Sequence, residues 1–213
     1  MVTKRLEAFL DCGTPIAEDL VTWGNGTIPL KVTYYLGNGQ PPRSLISSIR
    51  AIVFSDKRVL VVSQKDGQMY IFPGGRVQKE ERALETLRRE LLEETGWTIR
   101  HPRMLGWQHF HHLGPKPAGY AYPYPDFLWP VYTAEAKDFA PTAIVPDDYV
   151  FESHFRPIDE VIGLPINRGE LRLLEAAVGR RGSGRAQDPP LRRTTRSVWC
   201  ETGGTRLNDG TGR

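Results

Sequence analysis

The chain reads as an α/β protein, and three observations lead to that class. Residues 44–54 (SLISSIRAIVF), 58–63 (RVLVVS) and 68–72 (QMYIF) are rich in β-branched and aromatic side chains and are divided by Ser-Asp-Lys and Lys-Asp-Gly turns, the pattern of successive strands. Leu84, Leu87 and Leu91 then recur at helical spacing, between a glycine pair and a later glycine. Residues 103–113 and 126–134 read as strands again, and a second helical period follows them.

Taken in order, the first thirty residues are read as an arm or small helix, with an earlier strand at 29–36 after the loose WGNGT turn. Residues 1–40 thus form an N-terminal arm with one strand, residues 41–178 the folded domain, and residues 179–213 a tail. The first long helix is expected to begin near Glu81, because Glu80 and Glu81 favour the positive end of the helix dipole. It is expected to end at Gly96, a residue suited to the left-handed C-cap, and no Ser or Thr caps its start. A loop rich in proline and tyrosine, GYAYPYPDF, joins the two later strands, and residues 149–155 read as another strand. Asn167 with Glu170 three residues later makes a capping pattern, and Leu171, Leu174 and Val178 continue it at helical spacing. From residue 179 onward, Gly, Arg and Thr dominate without apolar periodicity, so disorder is expected there.

Composition narrows the class of function. A chain of 213 residues with 39% hydrophobic side chains can bury a sizeable core. No apolar run approaches membrane-spanning length, and the opening MVTKRLEAFLDCGTP carries acids and lacks a secretory core. A cytoplasmic protein without a membrane partner is expected. The two cysteines, Cys12 and Cys200, argue against a disulfide framework or a cysteine-rich zinc site. The net charge of +3 divides into +5 from residue 179 onward, with eight arginines and three acids, and −2 before it.

The segment from Gly74 to Trp97 carries the chemistry. Its carboxylates Glu90, Glu93 and Glu94 fall within an arc of about 100° on a helix, beside the arc of Leu84, Leu87 and Leu91. Like charges one turn apart repel by a few tenths of a kcal/mol per pair, so a neutralising partner is expected. Hard cations such as Mg²⁺ take carboxylate oxygens and share their shell with substrate phosphates, which implies phosphoryl transfer to water. An arbitrary acid cluster is more often a solvated face, but the surroundings here argue otherwise. Gly75, Glu81 after five intervening residues, then Arg89, Glu90, Leu91, Glu93, Glu94 and Gly96 match GX5EX7REUXEEXGU, where U is a bulky aliphatic. This segment resembles the Nudix box at all of its fixed positions, with Trp97 in place of the last aliphatic.

The resemblance implies an α/β/α sandwich with a mixed β-sheet, in which a loop, helix and loop hold metal beside a diphosphate. It implies metal-dependent hydrolysis of a diphosphate linkage in a nucleoside diphosphate derivative: a nucleotide sugar, an ADP-ribose-like compound or a nucleoside triphosphate. The cofactor would be Mg²⁺ or Mn²⁺, held by Glu90, Glu93, Glu94 and the backbone carbonyl of Gly75. Glu81 and Arg89 would support the loop, although Glu85, four residues before Arg89, competes for it. The proton acceptor would be Glu90 or a later acid, with Asp147, Asp148 and Glu152 available in PDDYVFES. His109 and His111 share a strand face and are read as packing, surface or substrate contacts, since a zinc site lacks a matched third ligand. Tyr120, Tyr122 and Tyr124 either stack on a base or cover the sheet edge. Pro115, Pro117 and Tyr120 fall later than the markers of the ADP-ribose and dinucleoside polyphosphate sub-families, so the sub-family stays open. So do a homodimer, a nucleotide-sensing regulator without turnover, and an RNA 5′-end pyrophosphohydrolase that uses the basic tail.

Overall fold

Strand-forming runs that are apolar on both faces need cover on both sides, and the computed structural model supplies it. It describes residues 4–24, 26–146 and 150–183. In chain order these form α1 (Lys4–Leu10), β1 (Thr14–Trp23), β2 (Ile28–Leu36), β3 (Ser48–Ser55), β4 (Arg58–Gln64), β5 (Met69–Tyr70), β6 (Gly74–Arg76) and α2 (Ala83–Thr95). There follow β7 (Trp97–His112), β8 (Asp126–Phe139), β9 (Val150–Pro157), α3 (Ile158–Val161) and α4 (Arg168–Ser183).

The strands make one mixed sheet in the order β1-β2-β7-β8-β3-β4-β5, with β6 paired to β3 and β9 to β4. β3 and β8 run parallel, while the other pairs are antiparallel. Side chains alternate across β3, so Ile49, Ala51 and Val53 meet Leu87 and Leu91 of α2 on one face. Ile52 and Phe54 meet Leu173, Leu174 and Ala177 of α4 on the other, which gives the expected sandwich. A third cluster joins Leu6 and Phe9 of α1 to Trp107 and Leu128.

The structure differs from the sequence reading at several elements. The first forty residues, expected as an arm with one strand, contribute a helix and two strands, and β2 joins them to β7 from Leu30↔His112 to Leu36↔Gly106. The strand expected from residue 44 starts at Ser48, after a 3₁₀ turn at Arg43–Leu45, and the strand expected at 68–72 shrinks to two residues. The strand expected at 103–113 begins at Trp97 and carries three register shifts. The last helix runs past residue 178 to Ser183. There, Arg180 donates to the Leu105 carbonyl at 3.3 Å and the Arg181 guanidinium lies 4.3 Å from the Phe54 ring, so polar residues extend the helix where apolar periodicity stops. The tail from residue 184, with Cys200, lies outside the described residues, as do Asp147 and Asp148. Among the described residues no helix is long and apolar enough to cross a membrane.

Candidate active site

The site is built on a turn that only glycine can make. β6 pairs back onto β3 through Ile49↔Gly75 and Arg50↔Gly74, which buries both glycines. Gly74 has φ of 133°, and a Cβ there would sit 2.2 Å from the Ile49 carbonyl oxygen. At Gly75 a Cβ would meet Glu90 Oε2 at 2.1 Å, so the missing side chain is the space that the carboxylate occupies. α2 follows directly. Its first turn is capped by Glu85, whose carboxylate accepts the Arg82 N–H at 2.9 Å, so Glu85 is engaged there rather than at Arg89. Gly96 ends the helix in the left-handed region at φ 71°. Trp97 then packs its ring 4.8 Å from Phe139 and 5.3 Å from Phe155, which accounts for an aromatic at that position.

Arg89 is the electrostatic centre of the cluster. Its Nε and Nη2 donate to the two oxygens of Glu81 at 2.8 and 2.9 Å, and Nη1 reaches Glu90 Oε1 at 2.8 Å and Glu93 Oε2 at 3.0 Å. Nη2 also donates to the Arg76 carbonyl at 3.2 Å, tying the helix to the turn. The Arg89 guanidinium, with help from Thr86 and the Gln78 N–H, pulls the Glu81 carboxyl down to about 2. The same contacts, Glu81 first, raise the Arg89 pKa. The repulsion among the helix acids is thus relieved in part from within the protein. Glu94 faces the other way, accepting the Gly74 N–H at 2.8 Å.

Glu90 against Gly75, Glu93 on Arg89 and Glu94 on Gly74 bring helix carboxylates to the turn. The donors are all oxygen, the type hard divalent cations take. Among the described residues no three His, Cys, Asp or Glu side chains form a ready cage. Mg²⁺ does not require one, because it keeps waters and borrows substrate phosphates. The donor set therefore fits such an ion.

The other residues named from the sequence divide into two groups. His109 and His111 converge on one partner, with His109 Nε2 and His111 Nδ1 each 2.8 Å from Asp126 Oδ1. Burial pushes the Asp126 carboxyl up, but the two imidazoles outweigh it and hold the group below its ordinary value. Tyr120 OH lies 3.0 Å from His112 Nε2, Tyr124 OH donates to the Gly114 carbonyl at 2.9 Å, and the Tyr122 ring lies under the Arg76 guanidinium at 4.9 Å. Glu152 is exposed on β9 and paired with His154 at 3.0 Å.

Two residues to which the sequence reading gave no part in the site complete the surroundings. Arg50 on β3 donates to the carbonyls of Phe72, at 3.4 Å, and Gly74, and its guanidinium lies 4.6 Å from the Trp129 ring. A lone cation inside an otherwise apolar strand is the signal that marks it. Glu170 on α4 is half-buried, accepts the Ile71 N–H at 3.0 Å, and is pushed by desolvation up to about 7. Its capping spacing to Asn167 disguised it, and Asn167 Oδ1 does accept the Gly169 and Glu170 N–H groups at 2.7 and 3.3 Å.

A mixed sheet between two helical layers, with a glycine turn paired to the start of β3 and an acidic helix following it, defines a Nudix-type fold and site. The NUDIX domain model matches residues 45–176, and the chain belongs to the Nudix family. No curated protein sequence matches the chain. Among solved structures, it is similar to the pyrophosphohydrolase BsRppH of Bacillus subtilis, with 19% identity, a TM-score of 0.53, and coverage of 78% of this chain and 98% of that one. It is also similar to a NUDIX hydrolase from Nitrosomonas europaea, with 17% identity, a TM-score of 0.50, and coverage of 63% and 90%. At such identities the likeness shows the fold.

Proposed function

We propose that this protein is a cytoplasmic hydrolase that cleaves a diphosphate linkage in a nucleoside diphosphate derivative and depends on Mg²⁺ or Mn²⁺. The observation that carries the reading is the seating of Glu90 on the Gly75 Cα and of Glu94 on the Gly74 N–H, which draws the box acids onto the turn. Glu90, Glu93, Glu94 and the Gly75 carbonyl would hold the ion, which supplies phosphate charge neutralisation and an acidified water when bound. Glu81 and Arg89 fix the helix against the turn, and Arg89 keeps Glu90 and Glu93 oriented. Glu90 is proposed to accept the proton of the attacking water, and the exposed Glu152 is the rival for that role. BsRppH, named as a pyrophosphohydrolase, supports the choice of bond.

The test is a panel of nucleotide sugars, ADP-ribose, nucleoside triphosphates and a triphosphorylated RNA end, each with Mg²⁺ or Mn²⁺ and with products resolved by mass. Turnover of at least one compound is expected, with most of it lost in Glu93→Gln and Glu94→Gln. No turnover with either ion, or full turnover in both variants, would remove the reading. Loss of the base in Glu152→Gln but not Glu90→Gln would transfer that role to β9.

A further inference from the structure

We infer that Arg76 is a phosphate-binding residue beside the glycine turn and that Tyr122 is the positioning residue that aims it. The inference rests on the hydrolase reading and adds to it a side chain that receives the diphosphate beside the acids.

Three arginines surround the glycine turn, and two are consumed internally. Arg89 is shared among Glu81, Glu90 and Glu93, and Arg50 is spent on the carbonyls of Phe72 and Gly74. Arg76 differs. Its backbone is fixed twice, by the Ser48↔Arg76 pair and by the 3.2 Å hydrogen bond from Arg89 Nη2 to its carbonyl. Its side chain is exposed, and among the described residues it makes no ion pair. The guanidinium instead lies over the Tyr122 ring at 4.9 Å.

That contact orients a cation without cancelling its charge, because the ring face offers a quadrupole rather than a carboxylate. Tyr122 is itself held, edge-on to Tyr120 at 5.4 Å, and the Tyr120 hydroxyl meets His112 at 3.0 Å. The loop thus links β7 to a cation one residue from the Gly75 carbonyl. A planar guanidinium with its forks free is suited to bidentate binding of a phosphate oxygen pair. With the acids seated on Gly74 and Gly75 and this cation on the next residue, the complementary ligand is a diphosphate that meets both the metal-binding acids and Arg76. Tyr122 is then engaged by Arg76 on one ring face, which makes it a positioning residue instead of a base-stacking plate.

The experiment uses the full chain and two readouts. Calorimetric titration with methylenediphosphonate in Mg²⁺ reads binding, and steady-state kinetics on the best compound of the panel separate KM from kcat. Arg76→Ala is expected to weaken methylenediphosphonate binding about tenfold, the equivalent of one charge-assisted hydrogen bond, and to raise KM. Tyr122→Ala is expected to weaken binding a few-fold with kcat little changed, and Tyr122→Phe to restore it, since the ring face is what matters. In an Arg76→Ala background, Tyr122→Ala is expected to have no further effect. Wild-type affinity in Arg76→Ala, shown folded by circular dichroism, overturns the inference. So does an undiminished Tyr122→Ala effect in that background. Arg76-dependent binding in a protein that turns over nothing sustains this inference while removing the hydrolase reading. Turnover unaffected by Arg76→Ala does the reverse.

Discussion

Glu81→Gln removes the charge that meets Arg89 through two hydrogen bonds of 2.8 and 2.9 Å, leaving Arg89 with Glu90 and Glu93. In the folded protein the Arg89 guanidinium, as the largest contributor, lowers the Glu81 carboxyl from 4.5 to about 2. At about 1.4 kcal/mol per unit, that shift corresponds to at most about 3.5 kcal/mol. The Arg89 side chain is 24% exposed and Glu81 15%, so water screens the pair, and about 2 kcal/mol is the working figure. Because the folded value lies below the unfolded one, this stabilisation is complete above about pH 4.5 and is lost as pH falls through about 2. A protonated Glu has nearly the shape and hydrogen-bonding groups of Gln, so wild type and variant converge in acid. Urea unfolding followed by circular dichroism at pH 7, 4 and 3 measures the gap. It is expected to keep about three quarters of its pH 7 value at pH 4 and less than half at pH 3. A gap as large at pH 3 as at pH 7 would refute the ion-pair account and point to packing instead.

The two glycines of the turn are expected to fail differently. Gly74→Ala meets backbone at 2.2 Å with φ at 133°, so thermal melts should show a loss of about 1–3 kcal/mol. Gly75→Ala meets only the Glu90 carboxylate, at 2.1 Å, so the fold survives while kcat/KM drops about 10²-fold as the acid is displaced. A fully active Gly75→Ala would contradict that placement of Glu90. Glu170 carries the opposite pH sign to Glu81. Burial raises it to about 7, so its contribution is complete below about pH 4.5 and is lost as pH rises through about 7. Glu170→Gln should therefore gain stability relative to wild type between pH 5.5 and pH 8, and an unchanged difference in urea midpoints across that range would count against a neutral Glu170 carboxyl. Leu91→Ala, at a position with no exposed surface between α2 and β3, should cost about 2–5 kcal/mol on urea unfolding, and a smaller loss would mean that the cluster closes around the gap.

What could be read in advance was periodic or local. Leu87 and Leu91 announce the buried face of α2 by spacing alone, and both are fully buried. Gly96 announces the end of α2 because few other residues accept φ 71°. β1 escaped because its pattern mixes Pro15, Glu18 and Asp19 with Leu20, which is 75% exposed, and a register shift between Pro15 and Ala17 breaks the alternation. An edge strand is held by its partner's backbone, here residue by residue along β2, and backbone pairing leaves little trace in side-chain types. The Ser183 end of α4 escaped for a related reason: arginines that lie along the protein surface extend a helix without the apolar repeat by which helices are recognised.

The polar wiring of the site was hidden for a different reason, since it joins residues with no common period. Asp126 becomes a partner of His109 and His111 only because β7 and β8 pair in the register His111↔Asp126, and a shift of one residue would send that carboxylate to the opposite face. Arg76 and Tyr122 are separated by 46 positions, and their contact depends on a loop folding back over the turn. The box alone places acids where a cation can sit, which is a statement about chemistry. On the proposed reading, which diphosphate is accepted would be set by cross-strand registers and by a loop that the box does not encode. A family-wide motif can therefore be complete in a chain whose substrate is still unread. The residues that decide the substrate should be sought among pairs such as Arg76 and Tyr122, where one partner lies in the box and the other far outside it.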